Sequence, residues 1–153
     1  MIKLLRVDHR LVHGQVAVSW FNAVDANTIL VANDSVAGDE FRKSAIRLAK
    51  PENAKLVMKS VADSIQAINS GITDKYKMLV VVESVDDAAR LITGTGKTIS
   101  ALNLGGTKQR EGTKNYSKAI NLTEEEVQKL TDLKNEGVDV SIQMVPGDKK
   151  VEF

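Results

Sequence analysis

Cysteine is absent from the 153 residues, and its absence excludes disulfides, thiolate metal sites and cysteine nucleophiles together. A chain without thiols suits a reducing compartment, and a cytoplasmic location is the expectation. An excess of one charge is lacking too. Basic side chains number 21 and acidic ones 20, a net +1, so no global field draws the chain to nucleic acid or to an anionic membrane. Any positive patch must be local. Long apolar runs are also missing. The start, Met1 to Val7, has none, and the longest later run, Met78 to Val82, is far short of the roughly 20 residues that cross a bilayer. The chain is expected to be soluble and untargeted, and to reach any membrane process by docking to a membrane partner. Repeats, linkers and low-complexity segments are not found.

What is present is an ordinary globular balance, 42% hydrophobic and 27% charged, on a length that suits one domain spanning 1–153. Short runs rich in Val, Ile and Leu recur between longer amphipathic stretches, the pattern of strands alternating with helices. Strands are predicted at 2–7, 28–33, 55–59, 77–82, 98–104 and 138–144, with a short extra strand near 118–121 completing the set. Helices are predicted at about 13–24, 37–49, 60–70, 84–93 and 124–136. The last opens on Thr123-Glu124-Glu125-Glu126, a capping-box spacing, and Gly137 follows where a helix commonly stops. The expected fold is α/β, a doubly wound and mostly parallel sheet of about six or seven strands with helices on both faces. Such a sheet binds ligands beyond the carboxyl ends of its strands, where strand order reverses. Function is therefore sought in 8–14, 33–38 and 103–114.

The most informative stretch follows the first strand directly: Asp8-His9-Arg10-Leu11-Val12-His13-Gly14-Gln15-Val16, leading into a helix with Trp20 and Phe21. His13 falls at the strand-to-helix turn, where an imidazole can be exposed and free backbone N–H groups converge on an anion. Gly14 has no β-carbon, so a phosphate on His13 can lie close to the backbone. Arg10 offers a permanently charged fork to phosphoryl oxygens. Phosphoryl transfer is mainly positioning and charge stabilisation, so an imidazole, an arginine and a helix start make a sufficient kit with no metal demanded and no cofactor expected. Asp8 has two available roles: holding the Arg10 guanidinium, or accepting a proton from one imidazole nitrogen so that the other stays nucleophilic. Gln15 either orients the ring or phosphate or is a first-turn solvent residue. The plain alternative for His13 is a cap or a solvent-exposed side chain, and for His9 a surface residue.

Elsewhere, Asn33 and Asp34 end the second strand as candidate phosphate or partner contacts, with Asp34 equally suited to capping a helix. Lys108 stands in a loop, 105–114, rich in glycine and cations, which fits either docking or plain solvation. The segment Gly94-Thr95-Gly96-Lys97-Thr98 imitates a nucleotide phosphate loop, but Leu91 occupies the place of its first glycine and the segment leads from helix into strand. Nucleotide binding is rejected. Trp20 and Phe21, beside Val16, Ala17 and Val24, are expected in the core.

The run Asp8-x-Arg10-Leu11-Val12-His13-Gly14-Gln15-Val16 followed by Trp20 closely resembles the signature of IIB subunits of the mannose/fructose/sorbose phosphotransferase family. Val31 to Ala37 with Arg42-Lys43, then Leu102-Asn103-Leu104-Gly105-Gly106 with Gly112, and Gly137-Val138 extend the resemblance over nearly the whole chain. The resemblance implies that His13 is the phosphorylation site, through Nδ1, and that Arg10 serves onward transfer. It implies a relay from a phosphohistidine on a IIA partner to His13, then to carbon 6 of a sugar held by the membrane IIC and IID subunits. Two departures stand out: His9 replaces the usual acidic or small polar residue, and the end, Pro146 to Phe153, is short beside members that continue in another helix. A different reading of the same residues is a flavodoxin-like module that binds a phosphorylated small molecule without being phosphorylated. A third is a regulatory relative, against which Arg10 speaks.

Overall fold

The computed structural model describes the backbone of residues 1–153 and every side chain but that of Lys97. In chain order the elements are β1 (Ile2–Asp8), α1 (Gly14–Ala23), β2 (Thr28–Ala32), α2 (Asp34–Ala37), α3 (Glu40–Ala49), β3 (Lys55–Lys59), α4 (Val61–Ser70), β4 (Met78–Val82), α5 (Val85–Gly94), β5 (Ala101–Gly106), β6 (Lys114–Ser117), β7 (Ile120–Leu122), α6 (Glu124–Asn135), β8 (Asp139–Ile142) and β9 (Val151–Glu152). The main sheet has seven strands in the order β3-β2-β4-β1-β5-β8-β9, parallel throughout except for the terminal β9. The α/β expectation holds.

β2 and β4 are buried along their whole length, which is why they read as unbroken apolar runs: helices cover both faces. Strand alternation sorts the core in two. Leu5, Val7, Leu30, Val80, Leu102 and Leu104 pack with α4, α5 and α6, whereas Ile29, Val31, Leu79 and Val81 pack with α1, α2 and α3. The chain leaves β1 towards β2 through α1 on one face, and leaves β5 towards β8 with α6 on the other. Strand order therefore reverses between the neighbours β1 and β5, the point where such a sheet opens a ligand crevice.

Side-chain caps explain most helix starts. Asp39, Ser60, Ser84 and Thr123 each accept a backbone N–H three residues on, and Thr123 and Glu126 complete the capping box. Three expectations need correction. The predicted helix 37–49 is two pieces, because Asp39 caps a fresh helix after the turn at Gly38. The predicted strand 98–104 begins only at Ala101, since Gly96–Thr98 forms a 3-10 turn, and it runs on to Gly106. The strand near 118–121 lies outside the main sheet: β6 and β7 form a separate antiparallel hairpin, whose buried Ile120 and Leu122 join the α4–α6 core. The seventh place is taken instead by β9, from the chain end.

Candidate phosphate-accepting site

On β1, Leu5 and Val7 face one core, so Arg6 and Asp8 face the other, where the Arg6 guanidinium carbon lies 5.3 Å from the Trp20 ring centroid. Arg6 is 2% exposed, and a buried cation is tolerable only with partners. It has three. Its Nη1 donates to Asn103 Oδ1 at 2.5 Å and to the Gln143 carbonyl at 3.2 Å, and its Nη2 donates to Asp8 Oδ2 at 3.2 Å. Room for the guanidinium comes from Gly105, where a β-carbon would sit 2.1 Å from Arg6 Cζ.

Asp8, 1% exposed, spends both oxygens on arginines and the loop. Oδ1 accepts the Arg10 backbone N–H at 2.9 Å and Arg10 Nε at 3.1 Å; Oδ2 accepts Arg10 Nη2 at 3.0 Å as well as Arg6. Burial pushes the Asp8 carboxyl up, but the hydrogen bonds from Arg10 and the charges of Arg6 and Arg10 outweigh it and hold the group below its ordinary range. Of the two roles open to Asp8, the structure shows the grip on Arg10. Hydrogen bonding to Asp8 raises the Arg10 pKa; burial lowers that of Arg6 despite Asp8. Two permanent cations on one carboxylate leave a net positive charge at the carboxyl end of β1.

The loop beyond is tied down on both sides. Leu11 N–H donates to the Asp8 carbonyl at 2.8 Å, Leu11 takes a left-handed φ of 60°, and Leu11 and Val12 are 3% and 5% exposed in the α1-side core. Such a φ in a branched residue costs of order 1–3 kcal/mol and persists only when packing over-determines it. The anchored turn leaves His13, Gly14 and Gln15 exposed. His13 is the N-cap of α1 but makes no side-chain cap bond, and the first turn holds no acidic residue. By contrast α2 to α6 each carry a capping side chain and a carboxylate in the first turn. The N–H groups and dipole of α1 thus stay unneutralised at His13, with the Asp8-held Arg10 three positions earlier in the same loop.

The other expected contacts are dispersed. Asn33 is fully buried: Oδ1 caps α2 through the Val36 N–H, and Nδ2 has no partner. The Asp34 carboxylate accepts the Val61 N–H at 2.9 Å and pairs with Arg90 at 3.4 Å, so it joins α2 to the start of α4. Lys108 is exposed, in a loop whose Arg110 pairs with Glu126 at 2.6 Å. His9 is half-buried; its backbone N–H donates to the Gly106 carbonyl at 3.0 Å, while ring Nδ1 is buried without a partner. Trp20 and Phe21 are core residues, and Trp20 Nε1 donates to the Met144 carbonyl at 2.9 Å. Among the described residues no group of three His, Asp or Glu is placed to hold a metal. Arg6, Asn103 and Gly105 were missed by sequence reasoning. The available signal was an arginine between Leu5 and Val7 in a strand destined for the sheet centre.

Fold and site together define a doubly wound α/β domain with an exposed imidazole on a positively charged loop at its topological switch point. Residues 2–153 match the family described as PTS system sorbose subfamily IIB component, and the chain belongs to that family. The fructose-specific EIIB component of Bacillus subtilis (strain 168) is 29% identical over 152 residues, 99% of this chain and 93% of that one. The mannose-specific EIIAB component of Escherichia coli (strain K12) is 28% identical over 153 residues, all of this chain and 47% of the longer relative. The crystal structure of the IIBSor domain of the sorbose permease from Klebsiella pneumoniae superposes with a TM-score of 0.92 at 29% identity, covering 99% of this chain and 93% of that one. This protein is a phosphotransferase-system component of the IIB type.

Proposed function

We propose that His13 carries a phosphoryl group from a IIA phosphohistidine to a sugar held by the membrane IIC and IID subunits, with residues 1–153 acting as one phosphotransfer domain. The observation that carries this reading is the exposed His13 on an uncapped, acid-free helix start, beside an Arg10 whose guanidinium is fixed by buried Asp8.

In the first step an imidazole nitrogen of His13 attacks phosphorus; the new N–P bond forms as the donor's N–P bond breaks, and the donor imidazole leaves. In the second a sugar hydroxyl oxygen attacks phosphorus; the new O–P bond forms as the N–P bond to His13 breaks, and the hydroxyl proton goes to the released His13 imidazole, directly or through water. The charge on the equatorial oxygens is the same problem in both steps, and Arg10 with the N–H groups of α1 answers it. The resemblance of the His13 motif implies Nδ1 as the phosphorylated nitrogen and carbon 6 as the acceptor, and both belong to this proposal. The relatives' names span fructose, mannose and sorbose. The sugar is a property of the membrane partners in this proposal.

The test is intact mass after incubation with phosphoenolpyruvate, the general phosphotransferase proteins and a IIA partner. Wild type and His9→Ala are expected to gain one phosphate, labile in acid and stable in base as a phosphoramidate is, and His13→Ala none. An unmodified wild type with every IIA offered would turn the conclusion to a module that binds a phosphorylated small molecule.

A further inference from the structure

Large apolar side chains left in solvent are few, and two of the most exposed lie on one helix. Phe41 is 85% and Leu48 90% exposed on α3, while Met1, Ile72, Tyr116 and Val151 are scattered along the rest of the chain. Phe41, Ala45 and Leu48 are spaced i, i+4, i+7, so they form one stripe on a helix face, and Ala45 is exposed as well. The opposite face, through Ile46, is what holds α3 to the core. Burial of Phe41 and Leu48 is thus not used by the fold.

The stripe adjoins the phosphate loop. Arg42, Ala45 and Ile46 of α3 and Arg10, Leu11 and Val12 of the loop line a single depression of about 200 Å³. Its two arginines are held from outside it, Arg10 by Asp8 and Arg42 by Ser35 Oγ at 3.1 Å. Local charge is also out of proportion to the chain. α3 carries Arg42, Lys43 and Arg47 against Glu40 alone, while the whole protein is +1.

We infer that the Phe41–Ala45–Leu48 stripe of α3, joined to the His13 loop through the Arg10–Arg42 depression, is the docking surface for the phosphohistidine-bearing donor protein, which meets it with an apolar patch edged by carboxylates. The inference rests on the transfer reading of His13. Three arguments select this occupant. A donor that sets its phosphoryl group at His13 must cover residues 10–13, and a footprint of about 800 Å² per partner reaches well beyond a four-residue loop. Exposed aromatic, leucine and arginine side chains in one patch match an interface core, and the excess of arginines asks for acidic groups opposite. A second copy of this chain is the poorer fit, because a two-fold contact would set one basic face against another.

The donor-concentration dependence of His13 phosphorylation would be compared for wild type, Phe41→Ser/Leu48→Ser and Ile72→Ser, with a phosphorylated IIA protein as donor. Both altered α3 residues lie outside the core, so a wild-type circular dichroism melt is expected. The double variant should show a KM for the donor raised about tenfold with kcat within about twofold, and Ile72→Ser should match wild type. Phosphorylated wild type with an unshifted KM in the double variant overturns the docking inference and leaves the transfer reading standing. So does an equal shift in Ile72→Ser, or a Phe41- and Leu48-dependent dimer or binding to phosphatidylserine vesicles with KM unmoved. An unphosphorylated wild type overturns both.

Discussion

Arg10 donates through Nε and Nη2 to the two oxygens of a carboxylate that is itself buried and held by Arg6. The guanidinium is therefore held in place before any phosphate arrives, which spares the ordering cost a free surface arginine would meet at each transfer. A lysine keeps the charge but not the two-point grip, since an ammonium cannot span both oxygens in one plane. Arg10→Lys is accordingly expected to slow phosphoryl transfer from His13 to sugar about tenfold or more without changing where the phosphate resides. Single-turnover decay of the phosphorylated protein in membranes holding the IIC and IID subunits measures this, and an unchanged rate would mean that charge alone suffices. His13 and Arg10 were legible in the sequence because their placement is local: strand, tight turn and helix start lie within a dozen residues. The part of Arg6 was not. Its partners Asn103 and Gln143 are 97 and 137 positions away, and only the sheet order brings them to it.

At the scale of elements, the closeness of β5 to β1 decides whether that arginine has a place. Gly105 lies where a β-carbon would come within 2.3 Å of both terminal guanidinium nitrogens of Arg6. The guanidinium cannot swing aside cheaply, because three hydrogen bonds and the Trp20 ring surround it. Gly106, one position on, would give its β-carbon ordinary contacts, the nearest at 3.5 Å. Gly105→Ala is therefore expected to cost roughly 1–3 kcal/mol in urea unfolding and Gly106→Ala well under 1 kcal/mol. Equal losses would show that Arg6 relaxes freely. The glycine pair reads in sequence as a loop signal, whereas in the fold it ends a strand, since the need is for steric room rather than for a turn. The hairpin β6-β7 was legible only in part, as the short strand expected near 118–121, which falls on β7; β6 and the pairing were not. Its strands pair only with each other, and only β7 brings buried apolar residues, so the alternation that marks a half-buried strand is barely developed. The helix broken at Gly38 was legible in principle, as Asp39 stands three residues before Arg42 in a capping position.

For the whole molecule, the Arg6–Asp8–Arg10 chain sets how stability responds to acid. Burial raises the Asp8 carboxyl and the arginines lower it further, so the folded value lies below the ordinary one. A depressed carboxylate contributes stability in full above its unfolded pKa, about 3.9, and that contribution is lost as pH falls from there through the folded value. Asp139 is depressed in the same sense by the hydrogen bond from Lys150, but both side chains are about half exposed at the sheet edge, where salt screens them. Asp87 has the opposite sign: burial raises it more than Arg90 lowers it, so its share grows as pH falls. Unfolding free energy should thus hold level from neutrality to about pH 4 and drop below, with a part of the acid loss that persists at 1 M salt and belongs to Asp8. Asp8→Asn, which keeps the shape and removes the charge, should lose about 3–5 kcal/mol at pH 7 by leaving Arg6 buried without its counter-ion. It should also flatten the salt-resistant acid limb, because the group that titrates there is gone. Urea titrations between pH 3 and pH 7 at two salt concentrations separate these outcomes. An acid limb of full size in Asp8→Asn would place the titration at surface pairs instead, and the Arg6–Asp8–Arg10 chain would then orient Arg10 without governing the stability of the fold.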